Sequence, residues 1–391
     1  MIQKDRLSAC FLELIQIDSV SKNEKNVSRL IQRLMKELGA EIITDTAGDM
    51  IGGNSGNLIA RFKGNMLAPP LMFCAHMDTV QPGENIHPIL KNGLFKSDGR
   101  TILGGDDKSG IAVIIECMRI LKENNIPHGP VELVFTVAEE IGLLGAKHLQ
   151  YDGITAGFGY ILDMKDPDII ITRAPSAIRF TITITGKDAH AGMEPEKGIN
   201  SIHIASKAIA ALPVGRVDHE TTLNVGLIQG GVATNIVPRT VTIEGEARSL
   251  DATKLKGLTK QIIDTFESMI HSCPKFEEPE TARILPDIQI KIDEDFHSTF
   301  IADDHPLVKT AREAASRLNR TLKTSHSGGA SDANIFFHNG LVSGVLGTGM
   351  TDIHTVTESI HLDDMIKTVE LITMIILVHL ENQQNDRRDN H

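Results

Sequence analysis

Three short apolar runs, at residues 71–75, 131–137 and 159–162, are each followed by acid or histidine: His76, then Glu139 and Glu140, then Asp163. A run that is apolar at successive rather than alternate positions is covered on both faces, as strands are in a sheet sandwiched between helices. In open α/β sheets the binding crevice lies outside the carboxyl ends of the strands. Polar groups at those ends therefore converge on one place. This pattern predicts an α/β sheet with a site along one rim, and it does so before any motif is considered.

The surrounding sequence fits such a sheet. Residues 26–38 carry apolar side chains at helical spacing and stop at Gly39, a residue suited to the left-handed turn that ends a helix. From about residue 177 the pattern changes. Ile178, Phe180, Ile182 and Ile184 alternate with Arg179, Thr181, Thr183 and Thr185, which predicts a sheet covered on one face only. A helix at 198–211, strands at 222–229 and 241–248, a helix at 252–270 and a last strand at 287–293 make this a two-layer α+β insert. Helical spacing resumes near Pro306, an apolar strand follows at 341–346, and a terminal helix is expected at 363–380 with a frayed polar tail after Glu381. The expected organisation is thus a first domain at 1–176, an insert at 177–300, and completion of the first domain by 301–391. A chain of 391 residues is long enough for two cores.

Composition narrows the function classes. With 51 acidic and 39 basic residues the net charge is -12, which argues against nucleic acid or an anionic membrane as partner. Residues 1–25 lack a signal-peptide core, and the most apolar late stretch, 371–380, is about half of a membrane span. Cys10, Cys74, Cys117 and Cys273 lack CxxC spacing and read as free thiols. A cytoplasmic enzyme is expected.

The chemistry lies in six segments. His76 and Asp78 flank Met77, so both would project from one side of a strand, where Asp78 can accept the imidazole's second N–H and raise its basicity as a ligand. HxD alone is common at strand ends. The turn Leu103-Gly104-Gly105-Asp106-Asp107-Lys108-Ser109-Gly110 resembles a phosphate loop, but two carboxylates beside the lysine would repel phosphate. A carboxylate on such a turn can instead bridge two cations, and Asp106 is the candidate; Asp107 could simply cap the following helix. Glu139 and Glu140 repel one another at a buried strand end unless a cation is near. One can bind metal while its neighbour acts as base. Asp163 and His354, the latter past a glycine turn at Gly347 and Gly349, gain weight only in this company. His190 stands at the end of the insert's first strand and suits contact with substrate better than metal. Two decoys drop out: His219-Glu220 starts as HExxH but has Leu223 in place of the second histidine, and the segment from Ser327 to Asp332 lacks a GxSxG elbow.

Taken together, HMDTV, GGDDKSG, TVAEEIGLLGAK, YILDM, GKDAHAG, TNIVPR, SGGASDAN and the late histidine resemble the co-catalytic zinc aminopeptidase and carboxypeptidase family, most closely its peptidase T-like, aminotripeptidase branch. The resemblance covers nearly the whole chain. It implies a zinc-exopeptidase-type mixed sheet flanked by helices, interrupted by a ferredoxin-like α+β lid that also forms a homodimer. It implies two Zn²⁺ ions per subunit, with Co²⁺ or Mn²⁺ as substitutes: His76, Asp106 and Asp163 on one, Asp106, Glu140 and His354 on the other. Asp78 would orient His76, and Glu139 would be general base and acid toward a bridging hydroxide. His190, Asn235, Arg248 and Gly329 would hold substrate, and the Asp106–Asp107 peptide would be cis. Two zinc ions carry four positive charges; Asp106, Glu140, Asp163 and one hydroxide balance them. Aspartate at 163 resembles the aminopeptidase and dipeptidase members of the family more than its deacylases and carboxypeptidases, which favours peptide substrates; the resemblance as a whole implies cleavage at the N-terminal bond of short peptides, tripeptides above all. An N-acyl amino acid deacylase with the same metals is the alternative, and a non-catalytic binding protein on this fold is a third reading.

Overall fold

A computed structural model describes residues 2–277 and 282–389, with side chains in the last helix described to residue 385. The chain forms two compact units. The first comprises Met1–Arg173, Phe300–Ser327 and Ser331–His391; the second comprises Ala174–Thr299 with Gly328–Ala330.

The centre of the first unit is a nine-stranded mixed sheet. Leu71–His76 pairs in parallel with Val131–Thr136 on one side and Phe158–Met164 on the other. Val342–Gly347 continues the parallel run beyond Phe158–Met164, while Leu58–Phe62 joins Val131–Thr136 antiparallel. All six residues of Leu71–His76 and all six of Val131–Thr136 are buried, which is why these strands read as unbroken apolar runs. Each buried Leu, Phe or Met side chain contributes roughly 1.5–3 kcal/mol. The helix Gly105–Glu123 lies on Leu71–His76 and Phe158–Met164, with Lys4–Ile15 and the terminal helix packed against it. Arg6 fastens the first of these contacts by a two-pronged bond, Nε and Nη2 each 2.8 Å from a carboxylate oxygen of the buried Glu116. The helix Lys25–Leu38 buries Val27, Leu30, Ile31, Leu34 and Met35 and ends at Gly39 with φ 100°.

The terminal helix corrects the expected frayed tail. It runs Leu362–Asp389, and Glu381, where the polar stretch begins, is held by Arg317 Nη1 at 2.7 Å. Residues 390 and 391 of that tail lie outside the described residues.

In the second unit Ser176–Thr185, Ser201–Ala211, Thr221–Gly230, Thr240–Ser249, Ala252–His271 and Asp287–Phe296 follow in the order strand, helix, strand, strand, helix, strand. The first strand lies between the third and the fourth, the second lies beside the third, and the short Gly215–Arg216 pairs on the outer side of the second, all antiparallel. This is the ferredoxin-like arrangement. Ile178, Phe180, Ile182 and Ile184 pack with Ile204, Ala208, Leu258, Ile262 and Phe266 of the two helices. The first helix starts later than residue 198, because the Asn200 side chain accepts the His203 N–H and so caps it there. Gly245 sits where a Cβ would come within 2.3 Å of both the Asn224 carbonyl oxygen and the Phe180 ring.

Candidate active site

His76 ends its strand at the rim, 2% exposed. Its backbone N–H donates to Asp107 Oδ2 at 3.2 Å and its Nε2 faces Asp106 Oδ1 at 3.0 Å. The Nδ1 bond was expected to go to the Asp78 carboxylate; it goes to the Asp78 carbonyl oxygen at 2.9 Å, with the nearer carboxylate oxygen at 3.4 Å. The strand stops at His76, so Asp78 is no longer bound to strand alternation. Its carboxylate instead accepts the Ser21 hydroxyl at 2.7 Å and the N–H groups of Glu139 and Glu140 at 2.9 and 3.2 Å. The consequence for the ring is the same: a carbonyl only accepts, so Nδ1 carries the proton and Nε2 faces the crevice.

The Asp106–Asp107 peptide is cis, and both residues interrupt the helical geometry of Gly105–Glu123. The two aspartates divide the two readings of the turn between them. Asp107 turns inward and caps the helix through the Gly110 N–H at 3.2 Å, where a Cβ on residue 110 would lie 2.5 Å from its oxygen. Asp106, 5% exposed, turns to the crevice: Oδ1 meets His76 Nε2, and Oδ2 lies 3.2 Å from His354 Nε2. His354 also lies 3.0 Å from Glu140. His76, Asp106 and Glu140 offer ligand atoms within 4.8 Å of one another, and so do His76, Asp107 and Asp163. Asp163 is thus grouped with the inward aspartate.

Charges in the crevice are unbalanced without a cation. Burial pushes the carboxyls of Glu139, Asp107 and Asp163 well above the ordinary range, and neighbouring carboxylates push them further. Burial opposes charge on His76, but Asp106 and Asp78 overcome it and hold the imidazole well above its usual pKa; hydrogen bonds donated to the Asp106 and Glu140 carboxylates raise His354 to about 10. Two imidazoles among five acids, with nitrogen and oxygen donors only, form a set that suits Zn²⁺, Co²⁺ or Mn²⁺.

Glu139 is 8% exposed and follows Ala138, a non-glycine residue at φ 50°. Three buried carboxylate bonds hold this turn: Glu24 accepts the Ala138 N–H at 3.0 Å and Asp78 takes the next two. Sequence reasoning missed Glu24, which lies 114 residues away from its partner. It missed Glu358 as well, whose carboxylate meets the glycine turn, and Lys108, fully buried with Nζ donating to the Ile17 carbonyl at 2.6 Å. Nothing local marks Glu24, Glu358 or Lys108 for these roles.

His190, Asn235, Arg248 and Gly329 all belong to the second unit. His190 is exposed and its Nδ1 accepts the N–H groups of Gly192 and Met193 at 3.2 Å; the Asn235 carbonyl accepts the Ala191 N–H at 3.0 Å. The two segments are joined by backbone pairing, with His190 bridged to Ile236. Arg248 is committed to Glu246 by two bonds of 3.0 Å, with Nη1 3.4 Å from the carbonyl of Gly328, beside Gly329. The decoy His219 is exposed, and Glu220 pairs with Lys254 at 2.7 Å.

The chain is 40% identical to the uncharacterized Bacillus subtilis protein YqjE over 378 residues, 96% of this chain and 99% of that one. Two solved structures share its fold: an aminopeptidase PepT from Bacillus cereus, with TM-score 0.89, 38% identity and coverage of 97% of this chain and 99% of that one, and a tripeptidase from Staphylococcus aureus, with TM-score 0.91, 36% identity and coverage of 97% and 100%. Residues 72–378 match the peptidase family M20/M25/M40, a span that runs from the His76 strand through His354 to the terminal helix. A crevice of acids with His76 at a strand end and His354 on the turn between Thr351 and Ser359, in a chain whose residues 72–378 match the family, identifies the protein as an enzyme of peptidase family M20/M25/M40.

Proposed function

We propose that the chain is a two-metal aminopeptidase that removes the N-terminal residue of short peptides, tripeptides above all. The observation that carries this reading is the placement of Asp106, whose two oxygens face two different imidazoles, His76 at 3.0 Å and His354 at 3.2 Å. A carboxylate so placed can serve two cations at once. His76, Asp106 and Asp163 would hold one ion and Asp106, Glu140 and His354 the other, with Asp107 beside Asp163. Bound divalent ions supply Lewis acidity and lower the pKa of water to about 7.

The residues of the chain do the rest. Glu139 would accept a proton from the attacking water and return it to the leaving amine. Asp78 holds the His76 tautomer through its carbonyl and the Glu139 turn through its carboxylate. His190, Asn235, Arg248 and Gly329 of the second unit hold substrate, and that unit joins two copies as a homodimer. Three buried free cysteines agree with a reducing cytoplasm. The names of the two solved structures, an aminopeptidase and a tripeptidase at 38% and 36% identity, support the substrate class.

The test is a substrate panel with Zn²⁺ or Co²⁺: free di-, tri- and tetrapeptides against N-acyl amino acids. Faster release of the N-terminal residue from free tripeptides is expected, and the reverse ranking would favour a deacylase and refute the proposal. Glu139→Gln is expected to lower kcat about 10²–10⁴-fold with metal content unchanged. A variant as active as the parent removes Glu139 from the mechanism.

A further inference from the structure

Glu358 lies four residues after His354, on a turn closed by reciprocal backbone bonds between Thr351 and Ser359 at 2.8 and 3.0 Å. The strand that follows, Ser359–His361, pairs with Leu94–Lys96. His354 projects from the far end of the turn with φ 62° and is half-exposed. Glu358, at 1% exposure, reaches the glycine turn. Its Oε2 accepts the N–H groups of Leu103 and Gly104 at 2.7 and 2.8 Å, and its Oε1 accepts that of Asp106 at 3.1 Å. The glycine turn is shaped to admit it: Gly104 has φ 74°, and a Cβ on Gly105 would stand 3.0 Å from Oε1. One carboxylate thus joins the backbone that carries Asp106 to the turn that carries His354, across 252 residues of sequence.

We propose that Glu358 is a positioning residue that sets the spacing between the His354 imidazole and the Asp106 carboxylate, and thereby the affinity for the metal ion these two share. The inference rests on the two-metal reading above. A glutamate that merely capped the helix would stabilise the fold without favouring either ion. The geometry is more specific, because the turn that Glu358 anchors carries His354, a ligand of one position only, so loss of the anchor moves His354 relative to an Asp106 that His76 still holds. Partners that orient metal ligands in this way are worth about 10–100-fold in metal affinity.

The experiment titrates metal-free full-length protein with Co²⁺, following bound ions by calorimetry and coordination by visible absorption, alongside thermal unfolding in chelator. Wild type should take up two ions, and His354→Ala should weaken one position. Glu358→Gln keeps the size of the side chain but turns an amide NH₂ toward backbone donors. It should bind one ion as wild type does and the other about 10–100-fold more weakly, with kcat recovered at high Co²⁺. Glu358→Asp, a methylene shorter, should not rescue it. If the Glu358 variants fail to fold, Gly105→Ala carries the test, since it displaces the carboxylate without removing it; the same selective loss is expected. Equal weakening of both ions in step with the melting temperature, or wild-type affinity at both positions in Glu358→Gln and Gly105→Ala, overturns the inference and leaves the two-metal reading intact. A wild type that takes up fewer than two ions overturns both.

Discussion

Lys108→Met is expected to stabilise the metal-free protein in acid and to lose that advantage as pH rises. Lys108 is fully buried, and its Nζ donates to the Ile17 carbonyl at 2.6 Å. Burial brings its pKa down from 10.5 to about 7. In the unfolded chain the lysine keeps its proton up to about pH 10.4. Below pH 7 both states are protonated, so the folded state bears the whole penalty of a buried ammonium. At about 1.4 kcal/mol per pH unit over that interval, the penalty is about 5 kcal/mol. Above pH 7 the folded protein has released a proton that the unfolded chain still holds, and the penalty shrinks by about 1.4 kcal/mol for each further pH unit. Methionine fills similar space without charge but leaves the Ile17 carbonyl unpaired, at a cost of about 1–3 kcal/mol. The variant should therefore be more stable than wild type by about 2–4 kcal/mol at pH 6 and nearly equal to it by pH 9. Urea unfolding of chelated protein at pH 6, 7.5 and 9 measures the difference through the midpoint at constant m. A gap that does not change with pH refutes the reasoning, whatever its size.

Two further outcomes follow from the same geometry. Asp163→Asn should make the chelated protein more stable than wild type at neutral pH, because it removes one of the carboxyls that burial and repulsion disfavour; metal at 100 times its dissociation constant should add about 2.7 kcal/mol to wild type and less to the variant. Equal stabilisation of both by metal would take Asp163 out of the ligand set. Gly245→Ala should cost about 1–3 kcal/mol in urea unfolding, since its Cβ would meet the Asn224 backbone and the Phe180 ring at 2.3 Å and a backbone atom cannot swing aside. Stability within about 0.5 kcal/mol of wild type would mean that the sheet yields there.

Much of the site was legible because strand ends are local objects. His76, Glu139, Glu140 and Asp163 each follow an apolar run, and the runs form adjacent strands of one sheet. The Glu24 and Glu358 carboxylates were not legible, because each accepts backbone N–H groups more than a hundred residues away and a backbone donor leaves no mark on the sequence. The role of Asp78 was half legible. Spacing placed it beside His76, but its carboxylate had backbone donors to satisfy at Glu139 and Glu140, so the carbonyl took the ring.

The sequence by itself determined the two kinds of sheet, since continuous and alternating apolar patterns demand different burial, and it determined which residue types stand at the rim. Tertiary structure decided how those residues are used. The turn at 104–110 holds two aspartates of identical chemistry, and their difference arises only in the fold: the helix start and the His76 backbone claim Asp107, which leaves Asp106 facing two histidines from segments at opposite ends of the chain. Side-chain identity is local, whereas the competition of donors and acceptors for a buried carboxylate is settled only when distant segments meet.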